Sequence, residues 1–240
     1  MPLETRTPTQ SIYRVARHPD AWQLPDWSRA KDGTFGNRFD DPESEYRVLY
    51  ASSQQVSCFV ETLARFRPDL ALLEELKAIE GEDDFLPVGE VPLNWCSNRV
   101  IGTAAADGSY ADIYGAEWIA ALRRKLGSEC LRLGFPDLDA VALQSPSPRI
   151  LTQLASRVVY DMGLAGVYFR SRYGHNLENW ALFEPCRIGG MRSDRVGRDH
   201  PALKEALRIL GLKFESELPG EGLPLTRHGA LRRNRKRGPR

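Results

Sequence analysis

Five side chains with chemistry to offer stand in short segments, of which those around Arg14, Glu61 and Ser171 are far apart in the chain and place a polar residue beside apolar ones. They are Arg14 in Ile12-Tyr13-Arg14, Arg38 in Gly36-Asn37-Arg38-Phe39, Tyr50 in Leu49-Tyr50-Ala51, Glu61 in Phe59-Val60-Glu61-Thr62 and Ser171 in Phe169-Arg170-Ser171-Arg172. A guanidinium donates paired hydrogen bonds from a planar fork and stays charged, which suits phosphate groups. An aromatic face attracts a cationic ring by roughly 0.5 to 2 kcal/mol; Tyr50 is the first candidate for that contact and Tyr13 the second. A carboxylate bonded to sugar hydroxyls gains strength as positive charge develops beside it, so it stabilises a transition state selectively. Glu61 fits that part. Ser171 offers a hydroxyl that is a weak nucleophile by itself, and no histidine lies close enough in sequence to imply a triad.

Each residue has an ordinary structural competitor. An arginine beside an apolar strand position is commonly a solvated or salt-bridged surface group, a tyrosine in a strand is commonly core, and a helical glutamate is commonly exposed. Arg38 stands out because Gly33 and Gly36 shape its loop.

The elements that must carry these groups are legible in outline. Ser11–Ala16 reads as a strand, 19–42 as a long loop, and Arg47–Ala51 as a second strand. Ser52 with Gln55 three residues on has capping-box spacing for a helix whose apolar stripe is Val56, Phe59, Val60 and Leu63, and Pro68 ends it. Glu61 lies just off that stripe. Further helical turns are expected over Leu70–Glu80, and extended chain over Phe85–Leu93 and Trp95–Thr103. A helix over Asp112–Leu126 should close at Gly127. The clearest helix starts with Ser147-Pro148, carries Ile150, Leu151, Leu154 and Val158 on one side, and ends at Gly163. Strands Gly166–Arg170 and Asn179–Phe183 follow, joined by a polar loop from Ser171 to Glu178. A last helix, Pro201–Leu210, stops at Gly211 before an extended stretch from Leu212 to Leu218.

At 240 residues and 42% apolar content the chain can bury a substantial core. The net charge of +1 is unevenly placed: seven Lys/Arg and no acids follow from Arg227 onward, leaving the preceding residues at about −6. Cys58, Cys96, Cys130 and Cys186 form no C-x-x-C pair, which argues against a zinc site or a disulfide framework and points to a reducing cytoplasm. No secretory h-region and no run of eighteen apolar residues is present, so no membrane contact is expected. No G-x-G-x-x-G opens a helix after a strand, which disfavours a Rossmann dehydrogenase. His18, His175, His200 and His228 share no ligand spacing, and His175 is a minor candidate only because it follows Ser171 in its loop.

The ordered set Tyr13-Arg14, Gly36-Asn37-Arg38-Phe39, Leu49-Tyr50-Ala51, Glu61, Gly166-Val167-Tyr168-Phe169-Arg170-Ser171 and Asn179-Trp180-Ala181-Leu182-Phe183 resembles the RES domain family from about Ile12 to Glu184. The resemblance implies a mixed α/β fold like that of ADP-ribosyltransferases, with a twisted, split β-sheet core and surrounding helices. It also implies a toxin of a bacterial toxin–antitoxin pair that degrades NAD by phosphorolysis or hydrolysis, with protein ADP-ribosylation as the alternative. NAD would be a substrate, inorganic phosphate a co-substrate, and no prosthetic group is implied. Arg14, Glu61 and Ser171 would be catalytic, and Arg14, Arg38, Tyr50, Tyr13, Ser171 and Asn179 would hold NAD. The partner would be a separate Xre-type antitoxin. The chain departs from the family at Phe39, where Trp is common, at Asp40-Asp41-Pro42, where a Pro-Gly-type turn is common, and at the bulky Cys58-Phe59-Val60 before the glutamate.

On this reading residues 1–218 form one catalytic domain and residues 219–240 a flexible basic tail. A different class, a catalytically silent module that binds nucleic acid or a partner, would use residues 227–240; no aromatic residues interleave with that basic run, which weighs against it. A homo-oligomer stays open.

Overall fold

A computed structural model describes residues 2–31, 34–70, 89–145 and 147–216. In chain order the strands are β1 (Thr5–Arg6), β2 (Ile12–Arg17), β3 (Val48–Ser52), β4 (Gly89–Val91), β5 (Arg99–Ala106), β6 (Tyr110–Asp112), β7 (Gly166–Ser171), β8 (Gly174–Phe183), β9 (Ile188–Arg195) and β10 (Leu212–Phe214). The α-helices are α1 (Gln55–Leu63), α2 (Ala116–Arg132), α3 (Ala140–Gln144), α4 (Ile150–Asp161) and α5 (Pro201–Leu210). Eight strands form one sheet in the order β1-β6-β7-β8-β3-β2-β5-β9, and β10 pairs with β4 separately. The fold is mixed α/β, as expected.

The sheet is split between β2 and β3. Those strands share a single residue pair, Tyr13 opposite Ser52, whereas β2 pairs with β5 from Ile12 to Arg17 and β3 with β8 from Val48 to Ser52. Right-handed strand twist accumulates across a large sheet until a ladder opens. The opening leaves a cleft where two well-anchored half-sheets diverge.

Period-two alternation sends side chains to opposite faces. Along β8, Trp180 and Leu182 join Ile12, Leu49, Ala51 and Tyr168 in one core cluster, which Trp22 closes from outside. Ala181 and Phe183 join Val48, Val167 and Phe169 in a second, covered by Trp118 and Leu122 of α2 and Leu151, Ala155 and Val159 of α4. Tyr50, Ser52 and Asn179 share the parity of this helix-covered face.

Helix α1 forms because Phe59, Val60 and Leu63 fall on one side, and all three are fully buried. They meet Leu203, Ala206, Leu207 and Leu210 of α5, so α5 backs α1 against the sheet. Gly211 ends α5 in the left-handed region at φ 65°, its N–H returning to Leu207 and Arg208.

Several expectations are corrected. Gly127 does not end α2, because Trp118, Leu122, Leu126 and Cys130 continue one buried stripe to Arg132. Ser52 does not cap α1; it ends β3, and Gln54 at the cap position makes no side-chain cap bond. The segment from Ser171 to Glu178 is a tight turn rather than a loop, with β8 already pairing from Gly174. Strand β9, which pairs with β5, was not anticipated. The helical turns expected over 71–80 and the tail 219–240 lie outside the described residues.

Candidate active site

Tyr13, Arg14, Arg38, Tyr50, Glu61 and Asn179 line one cavity of about 470 Å³ at the split in the sheet. They come from β2, the loop before β3, β3, α1 and β8.

Arg14 bridges the split. Its Nε donates to the Ala21 carbonyl at 2.8 Å and its Nη1 to the Tyr50 carbonyl at 3.0 Å. Strand β3 therefore gains from a side chain a bond that the parted ladder does not supply. Burial pushes the Arg14 pKa down, yet a guanidinium stays protonated in any protein setting. Its remaining N–H groups are available to a ligand.

Arg38 is held from two sides. Nη2 donates to the Tyr114 hydroxyl at 2.9 Å and to the Leu143 carbonyl at 2.5 Å, and the guanidinium lies over Phe39 and Phe169 at 5.2 and 5.6 Å. Phe39 itself is buried against Phe169, ring centres 4.8 Å apart. The family departure at Phe39 therefore sits under the arginine as its aromatic support. Gly36, at φ 76°, turns the loop so that Asn37 and Arg38 can reach inward. Nε of Arg38 is buried with no acceptor among the described residues.

Tyr50 is fixed through its hydroxyl, which accepts from the Phe39 amide at 2.9 Å and donates to Asp40 Oδ1 at 3.0 Å. Burial holds its pKa well above the ordinary range, so it stays a neutral phenol. Asp40 is buried as well, and its Oδ2 accepts from the Asn37 amide at 2.6 Å and the Asn37 side chain at 2.9 Å. One carboxylate thus ties the arginine loop to the tyrosine.

Glu61 projects from α1 into the cavity, exposed, with Oε1 accepting from Asn179 Nδ2 at 3.0 Å. Asn179, only 2% exposed, accepts at Oδ1 from Ser52 Oγ at 2.6 Å and Ser57 Oγ at 2.9 Å. Cys58 also reaches the cavity wall, but burial pushes its thiol up to about 12, so it offers no thiolate. Phe59 turns away into the core toward Trp95 and His200.

Residues 11–203 match the RES domain. The chain belongs to that family. All seven candidate residues fall inside the matched span, whose end lies three residues into α5. No curated protein compared with the sequence matches it. Among solved structures, the crystal structure of the M. tuberculosis MbcT-MbcA toxin-antitoxin complex contains a chain similar to this one at 14% identity and a TM-score of 0.48, covering 85% of this chain and 91% of that one.

Within this RES domain Ser171 stands apart from the other candidates. It is buried at 6% exposure, its Oγ accepts from the Tyr173 amide at 3.1 Å, and it lines an adjoining cavity with Arg6, Arg170 and His175. The two cavities share Gln144, Arg172 and Tyr173 as a common wall. The expectation that Ser171 contacts the same space as Glu61 is not met, because the β7–β8 turn draws its hydroxyl back onto the chain.

Arg65, Arg149 and Arg172 also line the main cavity and were not anticipated. Arg65 follows Glu61 by four residues on the turn that extends α1, a spacing that puts both on one side. Arg172 adjoins a residue already singled out. Nothing in sequence marks Arg149, whose Nη1 donates to the Gly36 carbonyl. Among the described residues no cluster of His, Cys, Asp and Glu is placed to hold a metal, and no helix is long and apolar enough to cross a membrane.

Proposed function

We propose that this cavity binds NAD and cleaves its nicotinamide–ribose bond. The observation that carries the reading is the lining: five arginines and a single carboxylate, Glu61, around about 470 Å³. That volume is within the usual range for small-molecule sites. Such an excess of guanidinium attracts a doubly charged pyrophosphate, and the lone anion has a different task.

In this reading Arg14 and Arg38 hold the phosphates, pre-aimed by their bonds to backbone carbonyls. The Tyr50 ring, fixed at its hydroxyl, offers a face to the cationic nicotinamide. Glu61 accepts from ribose hydroxyls and strengthens that contact as oxocarbenium character develops. The bond broken joins ribose C1′ to the nicotinamide nitrogen; its electron pair leaves with nicotinamide, and an acceptor oxygen bonds to C1′. Water or inorganic phosphate serves as acceptor, with a protein nucleophile as the alternative. As a RES domain with this chemistry, the chain would act as a toxin restrained by a separate Xre-type antitoxin.

Incubation of the purified protein with NAD tests the proposal. Nicotinamide release that requires added phosphate identifies phosphorolysis, release without it identifies hydrolysis, and a labelled protein band identifies transfer. No release and no NAD binding under any of these conditions would reject it.

A further inference from the structure

Glu61 is exposed at the end of a three-torsion side chain, and among the described residues its one hydrogen bond comes from a buried amide. A side chain so placed needs an external constraint to hold one geometry, and that constraint is only as good as the amide's own orientation. An asparagine amide can sit in two flips, one presenting N–H and the other presenting oxygen to the same neighbour. With oxygen turned toward Glu61, two acceptors would oppose each other. Oδ1 of Asn179 instead receives two hydroxyls, Ser52 Oγ at 2.6 Å from the end of β3 and Ser57 Oγ at 2.9 Å from the first turn of α1. Both lone pairs of the amide oxygen are engaged, and Nδ2 is left facing the carboxylate.

We propose that Ser52 and Ser57 are positioning residues: acting through Asn179, they select the amide flip that pins Glu61 Oε1 and leaves Oε2 for a ligand. Among the described residues the hydrogen bond to Glu61 is made at Oε1. The three anchors belong to three separate elements. Ser52 and Asn179 are a register pair of β3 and β8, and Ser57 lies one helical turn before Glu61. The device therefore references the carboxylate to the sheet rather than to its own helix alone. Ser57 is fully buried and lines no part of the cavity, whereas Ser52, 3% exposed, reaches the wall beside Asn179 with its hydroxyl committed to the amide oxygen.

The functional half of this inference rests on the NAD-cleaving reading; the geometric half does not, and two measurements separate them. In NMR spectra the Asn179 side-chain amide pair should be well dispersed, should shift when Glu61→Gln is introduced, and should lose that response in the Ser52→Ala/Ser57→Ala double variant. An amide pair indifferent to Glu61→Gln in the otherwise unchanged protein overturns the proposal, whatever the turnover. In the nicotinamide-release assay the double variant should lose about ten- to a hundredfold in kcat, with KM for NAD within roughly twofold because the arginine contacts persist. Ser57→Thr, which keeps a hydroxyl, should restore the rate lost in Ser57→Ala. Wild-type kcat in the folded double variant, or failure of threonine to restore the rate, overturns it. Should the double variant not fold, Ser57→Ala alone carries both readouts. A protein that releases no nicotinamide but keeps the coupled amide signal refutes the NAD reading and upholds the pinning of Glu61.

Discussion

The Arg14 guanidinium spans the gap between β2 and β3 to reach the Tyr50 carbonyl at 3.0 Å. With its second bond to Ala21, this arginine holds the split sheet at a fixed opening while turning its remaining N–H groups into the cavity. Removing it strands two acceptors, each at a cost of about 1–3 kcal/mol. Arg14→Ala should therefore lose about 2–6 kcal/mol of stability along with NAD affinity. Arg14→Lys should recover part of the affinity and little of the stability, since an ammonium cannot fork between the two carbonyls. Urea denaturation beside NAD titration separates the effects; an Arg14→Ala protein as stable as wild type would show that the bridge contributes nothing.

Glu61→Gln keeps an acceptor for Asn179 and removes the charge. Nicotinamide release should fall at least about a hundredfold, the scale of losing one transition-state stabiliser. Stability should stay within about 0.5 kcal/mol, as for other exposed positions. A folded variant with near wild-type turnover would remove Glu61 from the chemistry.

Asp40 gives the fold a defined pH response. Burial, against the opposing bonds from Asn37 and Tyr50, raises its pKa above the ordinary 3.8. A carboxyl that grips its proton more tightly when folded adds stability below its unfolded value and loses that contribution as pH rises through the folded one. Compared by urea midpoints, the wild type should lose stability relative to Asp40→Asn as pH climbs above 3.8, with a constant difference beyond the folded pKa. A flat difference across that window, or one of opposite sign, would refute this.

Arg149 and Arg172 are exposed at the cavity wall. Exposed ionic contacts contribute about 0.2–1 kcal/mol, so alanine at either position should raise KM for NAD about 1.5- to fivefold and leave kcat in place. The effect should shrink as ionic strength is raised. A fall in kcat with unchanged KM would assign these arginines a part in the bond-breaking step instead.

Much of this was legible in sequence where a local pattern coincided with a buried face. The stripe in α1 and the Gly211 stop of α5 are of that kind. Strand β9 was not, because its Ile188-Gly189-Gly190-Met191-Arg192-Ser193-Asp194-Arg195 run is almost wholly exposed and owes its shape to pairing with β5. Helix α2 outran its expected end because a glycine with open space around it costs a helix less than a continuing apolar stripe returns. In the site, Arg14, Arg38, Tyr50 and Glu61 were candidates by side-chain chemistry and stood out only as an ordered set resembling the family, and Asn179 was a candidate through that resemblance alone. Ser52 and Ser57 bond a side chain more than a hundred residues away, and Asp40 bonds Asn37 and Tyr50 through a loop of no regular period; no spacing rule marks such partners.

The pairing of Ser52 with Asn179 has a consequence for biosynthesis. Closing that wall brings together segments more than a hundred residues apart, a slow, non-local step. A chain still emerging from the ribosome has Arg14, Arg38, Tyr50 and Glu61 long before it has β8 to gather them. The proposed activity therefore switches on late in translation, after most of the polypeptide has been made.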